Sequence, residues 1–140
     1  MCIIIDANAV HEIANKTRDG LPVLQWIFKG KGGGLIVGGH LKTELARAGM
    51  APTLVELNRA GRLHSVDDVN IDSIAAEVAP RCRSNDSHVV AIVKISRCSL
   101  LFSKDIDLGR DVQNREIIDH QVHIYKNRDH AHLLRECRCG

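Results

Sequence analysis

Aromatic side chains are scarce: Trp26, Phe28, Phe102 and Tyr125 are the only four in 140 residues. A core must therefore be built from Ile, Val, Leu and Ala, and a stacking platform for single-stranded bases, which needs several exposed rings, is not expected. Long hydrophobic runs are absent too. Apolar runs such as residues 2–5 and 35–37 fall far short of the roughly 20 residues that cross a bilayer, so no membrane role is expected. Neither sign of charge dominates: 19 Lys and Arg against 17 Asp and Glu leave a net +2, too little to name nucleic acid as a partner by charge alone. The five cysteines, Cys2, Cys82, Cys98, Cys137 and Cys139, are odd in number and lack framework spacing. Together with the lack of a charged n-region, an apolar h-region and a cleavage site, they point to a reducing cytoplasm.

What is present is the composition of one soluble domain, with 44% hydrophobic and 26% charged residues, long enough to bury a sizeable core. CIII at 2–5, LIV at 35–37 and SLLF at 99–102 are short all-apolar runs. Strands covered by helices on both faces read this way, since they have no polar side to alternate. RLHSV at 62–66 and residues 122–125 are further short strands. Between them, helical spacing places helices around Ile13, over 21–28, over 40–49, from Pro52 to Gly61, and over 67–79 and 84–97. Strands alternating with helices predict a three-layer α/β/α sandwich with a mainly parallel central sheet. Residues 1–125 form the expected domain and 126–140 its C-terminal tail. That tail region concentrates His120, His123, His130, His132, Cys137 and Cys139. Its C-x-C and H-x-H spacings do not match the paired ligands of structural zinc, so a plain terminal helix, dispensable for chemistry, is the expectation.

In parallel α/β sheets the ligand crevice lies at the carboxyl ends of the strands. Two of the buried strands end in acid there, at Asp6 and at Asp105. Asp86 opens the helix before the second of these strands, and Glu44 lies on the helix after the LIV strand. Each has a plain alternative: Asp6 and Asp86 as helix caps, Glu44 as a solvated helix charge. Four acids from distant stretches that meet at one edge repel one another unless partly protonated or holding a cation. For an all-oxygen site that cation is Mg²⁺ or Mn²⁺, which can activate water and stabilise the entering and leaving oxygens of a phosphodiester displacement. Hydrolysis of nucleic acid is the leading chemistry. Among the basic residues near these acids in sequence, Lys104 and Arg110 are candidates for contact with a substrate phosphate. His88, two residues beyond Asp86, is read as a hydrogen-bonded core histidine rather than a catalyst.

IIIDAN at 3–8, TEL around Glu44, NDSHVVA at 85–91 and LLFSKDIDL at 100–108 resemble, in order and at similar separations, the motifs of the PIN-domain ribonucleases, which include VapC-type toxins of toxin–antitoxin pairs. The resemblance covers residues 1 to about 125. It implies a metal-dependent endoribonuclease in which Asp6, Glu44, Asp86 and Asp105 are catalytic and hold the metal with help from Asp107, while Asn8 and Ser103 orient the first carboxylate. It also implies RNA as substrate, an antitoxin protein as partner in toxin-type members, and a homodimer formed through N-terminal helices, here those carrying Ile13, Leu24 and Ile27. Ser103 stands where Thr is commoner and Leu108 where Phe is frequent, and the tail departs from the usual pattern.

Two other classes compete. A catalytically inactive PIN-like module would bind RNA or protein without turnover, yet it has no physical need to keep a repulsive acid cluster. A receiver-like phosphoacceptor wants an acid pair just after the first strand, where this sequence offers Asp6 alone.

Overall fold

The computed structural model describes residues 2–30 and 33–136. The expected apolar runs form strands: β1 (Ile4–Ile5), β2 (Leu35–Val37), β3 (Leu63–Ser65), β4 (Leu100–Phe102) and β5 (His123–Tyr125). Every pairing between them is parallel. β4 lies between β1 and β5, β2 pairs with β3, and a bridge between Ile3 and Leu35 joins the two groups. The resulting order is β3-β2-β1-β4-β5. The chain winds outward from β1 to β3, then returns to β4 and moves outward the other way. The topological switch point is thus between β1 and β4, where neighbouring crossovers part and leave a crevice above the strand ends.

The crossovers are helical: α1 (Val10–Ala14), α2 (Leu21–Lys29), α3 (Gly39–Leu45), α4 (Ala51–Arg59), α5 (Asp68–Val78), α6 (Ser87–Ser96) and α7 (Ile106–Gln113). Helices flank the sheet and give the three-layer α/β/α architecture expected from the sequence. β1, β2 and β4 are buried at every position, which is why their residues show no polar alternation. Local chemistry sets the boundaries. Pro22 and Pro52 fall in the first turns of α2 and α4, where a missing N–H is no loss. The helix expected over 40–49 stops earlier, because α3 gives way to a widened turn, Ala46–Met50. Gly49 there takes φ 121°, a conformation a side chain would resist.

On the N-terminal helices, Ile13 and Ile27 are core residues, 1% and 0% exposed, and Leu24 is partly buried against that core. The tail carries a short terminal helix that packs on the domain. Leu133 and Leu134 of α8 (Leu133–Glu136) are buried in the main core. The Arg128 N–H donates to Asp19 Oδ1, and the Tyr125 hydroxyl donates to the Asp19 carbonyl. His130 accepts from the Lys126 N–H, and His120 Nε2 lies 2.9 Å from the Cys98 carbonyl. Cys137 and Cys139 lie outside the described residues.

Candidate metal centre

Asp6 is fixed by the sheet itself. Its N–H donates to the Phe102 carbonyl at 2.9 Å, extending the β1–β4 ladder by one residue beyond β1. Its side chain is 4% exposed and makes no capping bond to the short helical turn that follows. Asp105 follows β4, the neighbouring strand, so parallel pairing brings both acids to one edge. Ser103, fully buried, links them: its hydroxyl donates to Asp6 Oδ2 at 2.9 Å and accepts from the Asp105 N–H at 3.0 Å. Asp105 also caps α7, with Oδ1 accepting from the Asp107 and Leu108 N–H groups. Asp86 stands before α6, but its side chain caps nothing; its carbonyl alone accepts from Val89 and Val90.

One carboxylate oxygen from each of Asp6, Asp86 and Asp105 lies within 4.8 Å of the others. Burial is the main reason that the Asp6 carboxyl is pushed up to about 6. Its Ser103 bond opposes this and the charges of Asp86 and Asp105 reinforce it. Asp86 is also pushed above the ordinary carboxyl range, first by burial. The His88 ring offsets part of that shift, while Asp105 and Glu44 add to it. Three acids that resist ionising together are the donor set a hard divalent cation would relieve.

The remaining sequence candidates take distinct places. Glu44, on α3, is half exposed and stands beside His88, 3.5 Å from its Nε2, rather than within the tight trio. His88 also meets His40 edge to face. Asp107 is exposed in the first turn of α7, and Asp105 performs the capping that Asp107 could have done. Asn8 Oδ1 accepts from the Lys104 N–H at 3.3 Å, tying the turn after β1 to the turn after β4. The Lys104 ammonium is paired with Glu12 at 2.9 Å, and Glu12 also accepts from the Thr17 hydroxyl. Arg110 is exposed on α7.

Sequence reasoning did not single out Asp111, which is hydrogen-bonded to Ser84, two residues before Asp86. A signal was available: Asp111 follows Leu108 by three residues and precedes Val112, so it lies on the apolar face of its helix. No protein-family model matches the chain, and neither curated proteins nor solved structures gave a match.

Proposed function

We propose that this protein is a Mg²⁺- or Mn²⁺-dependent endoribonuclease whose cation is held by Asp6, Asp86 and Asp105. The observation that supports it most is the meeting of these three carboxylates within 4.8 Å at the switch point of the sheet. Two of the three, Asp6 and Asp86, have no capping bond to give them another employment. RNA as the substrate, and an antitoxin and a second copy of the chain as partners, rest on the motif resemblance.

A divalent cation held by these three carboxylates would supply the charge that activates water and stabilises the entering and leaving oxygens of the phosphodiester. The protein's own groups do the rest. Ser103 holds the Asp6 carboxylate in one rotamer while steadying the Asp105 backbone. Asp105 is held by its cap, with Oδ1 accepting from the Asp107 and Leu108 N–H groups. Glu44 lends its charge at the margin of the site, with His88 beside it. Arg110 is the exposed base offered to a phosphate, since Lys104 is held by Glu12.

The test is cleavage of a labelled RNA by purified protein with Mn²⁺ and with chelator. Cleavage that needs the cation and is lost in both Asp6→Asn and Asp86→Asn is expected. Chelator-resistant cleavage, or full activity in these variants, contradicts the assignment.

A further inference from the structure

Among the described residues two carboxylates are buried, Asp6 and Asp111, and the proposed site uses only the first. Asp111 is 2% exposed, and both its oxygens are committed. Oδ1 accepts from the Arg83 N–H at 2.8 Å. Oδ2 accepts from the Ser84 N–H at 2.9 Å and from the Ser84 hydroxyl at 2.6 Å. Three donors thus hold the carboxylate, which serves as an anchor for residues 83 and 84. The Ser84 hydroxyl in turn accepts from the Asp86 N–H at 3.3 Å, so a continuous chain of hydrogen bonds runs from Asp111 to the backbone of a trio carboxylate.

The segment so held has no regular structure of its own, since residues 82–86 lie between a 3-10 turn and α6. On its far side Asp86 is held by α6, whose Val89 and Val90 N–H groups donate to its carbonyl; on the near side, without a ladder or helix, the contacts to Asp111 and Ser84 set the course of the chain. Asp111 also belongs to α7, the helix that Asp105 caps. One rigid element therefore carries Asp105 at its N-terminus and, six residues on, the clamp for the segment bearing Asp86. Bonds from two backbone N–H groups and a hydroxyl to an ionised carboxylate are charge-assisted and stronger than neutral ones.

We propose that Asp111 is a positioning residue which, through Ser84, fixes Asp86 against Asp105 and so sets the spacing of the cation site. The proposal rests on the cation reading above and concerns which residues hold that site in register. A role in stability alone would leave cation affinity untouched in variants that still fold. Groups that orient metal ligands typically change affinity by about 10–100-fold when removed.

The experiment is Mn²⁺ titration by calorimetry, with melting curves, of the wild type and of Asp111→Asn, Ser84→Ala and Ser84→Thr. Asp111→Asn and Ser84→Ala should weaken Mn²⁺ binding by about tenfold or more. Ser84→Thr, which keeps the hydroxyl, should stay within about threefold of wild type. RNA cleavage in the two weakened variants should need correspondingly more Mn²⁺, with KM for RNA at saturating Mn²⁺ little changed. If Asp111→Asn does not fold, Ser84→Ala decides the matter, because it keeps both backbone bonds. Wild-type Mn²⁺ affinity in the variants that fold overturns the positioning role, even where their melting temperatures fall. A wild type that binds no Mn²⁺ overturns the cation reading and the positioning role with it.

Discussion

The same carboxyl edge of the sheet carries two groups of aspartates with opposite employment. After β3, Asp67 caps α5 by accepting from the Val69 N–H, and Asp68 accepts from the Gly39 N–H across the edge. Each answers a backbone donor that would otherwise be unsatisfied. After β1 and before α6, Asp6 and Asp86 occupy equivalent positions at the starts of helical segments, yet neither side chain caps. They turn toward each other and toward Asp105, and burial and mutual charge raise both above the ordinary range. An acid at a strand end is by default a cap; Asp6 and Asp86 forgo the cap and crowd other acids instead. Asp105 belongs to both groups, capping α7 and standing within the trio.

The sharpest way to break this comparison is to neutralise one member of each group. Asp6→Asn or Asp86→Asn should lower Mn²⁺-dependent cleavage roughly a hundredfold or more, because several kcal/mol of charge stabilisation depends on an anionic ligand. Asp67→Asn and Asp68→Asn should stay within about twofold, since an amide oxygen still accepts from the backbone. Initial cleavage rates of the four variants decide it, and equal losses in both groups would erase the distinction.

The pH dependence of stability gives the next largest effect. Asp6 holds its proton up to about 6 in the folded chain, whereas an unfolded aspartate releases it near 3.9. Between these values the folded chain binds more protons. Its stability without metal is therefore lost as pH rises through the window, by on the order of 3 kcal/mol for this group; Asp86, raised as well, adds in the same direction. Asp6→Asn should melt close to wild type near pH 4 and above it at pH 7.5, both in chelator. A gap that does not grow with pH would contradict the burial of a strained carboxyl.

Cation binding should reverse that penalty. At a hundredfold excess over its dissociation constant, Mn²⁺ adds about 2.7 kcal/mol, which moves the melting temperature by several degrees in a chain of this size. Asp105→Asn should raise the melting temperature in chelator by relieving repulsion and blunt the response to Mn²⁺. Asn caps as well as Asp does, so the helix end is not confounded. The smallest effect belongs to the other group: Asp67→Ala should cost about 1 kcal/mol through loss of the α5 cap and leave the Mn²⁺ shift of the melting curve unchanged.

The sheet was legible in the sequence because double-sided burial leaves a plain mark. CIII, LIV and SLLF have no polar partner positions, and each lies where a strand is observed. Asp6 and Asp105 were legible for a related reason, since an acid that ends such a run must sit at the edge. Strand order was not legible: β1 pairs with β4 nearly a hundred residues away, and no local pattern encodes that neighbour. Nor could periodicity show how deeply the first helices are buried: Ile13 and Ile27 lie inside, and only the packed chain shows it. Asp111 was passed over because a lone acid in a helix is usually solvated; its place beside Leu108 and Val112 was the clue. In the tail, composition did not single out Leu133 and Leu134, the two leucines that enter the core.

The proposed cation site of Asp6, Asp86 and Asp105, set against the capping aspartates after β3, is open to calorimetric titration with Mn²⁺ at pH 7.5 on wild type, Asp86→Asn and Asp67→Asn. Saturable binding is expected for wild type and Asp67→Asn, and its loss in Asp86→Asn. Equal binding by Asp86→Asn and wild type, or an equal loss in Asp67→Asn, would contradict the proposal.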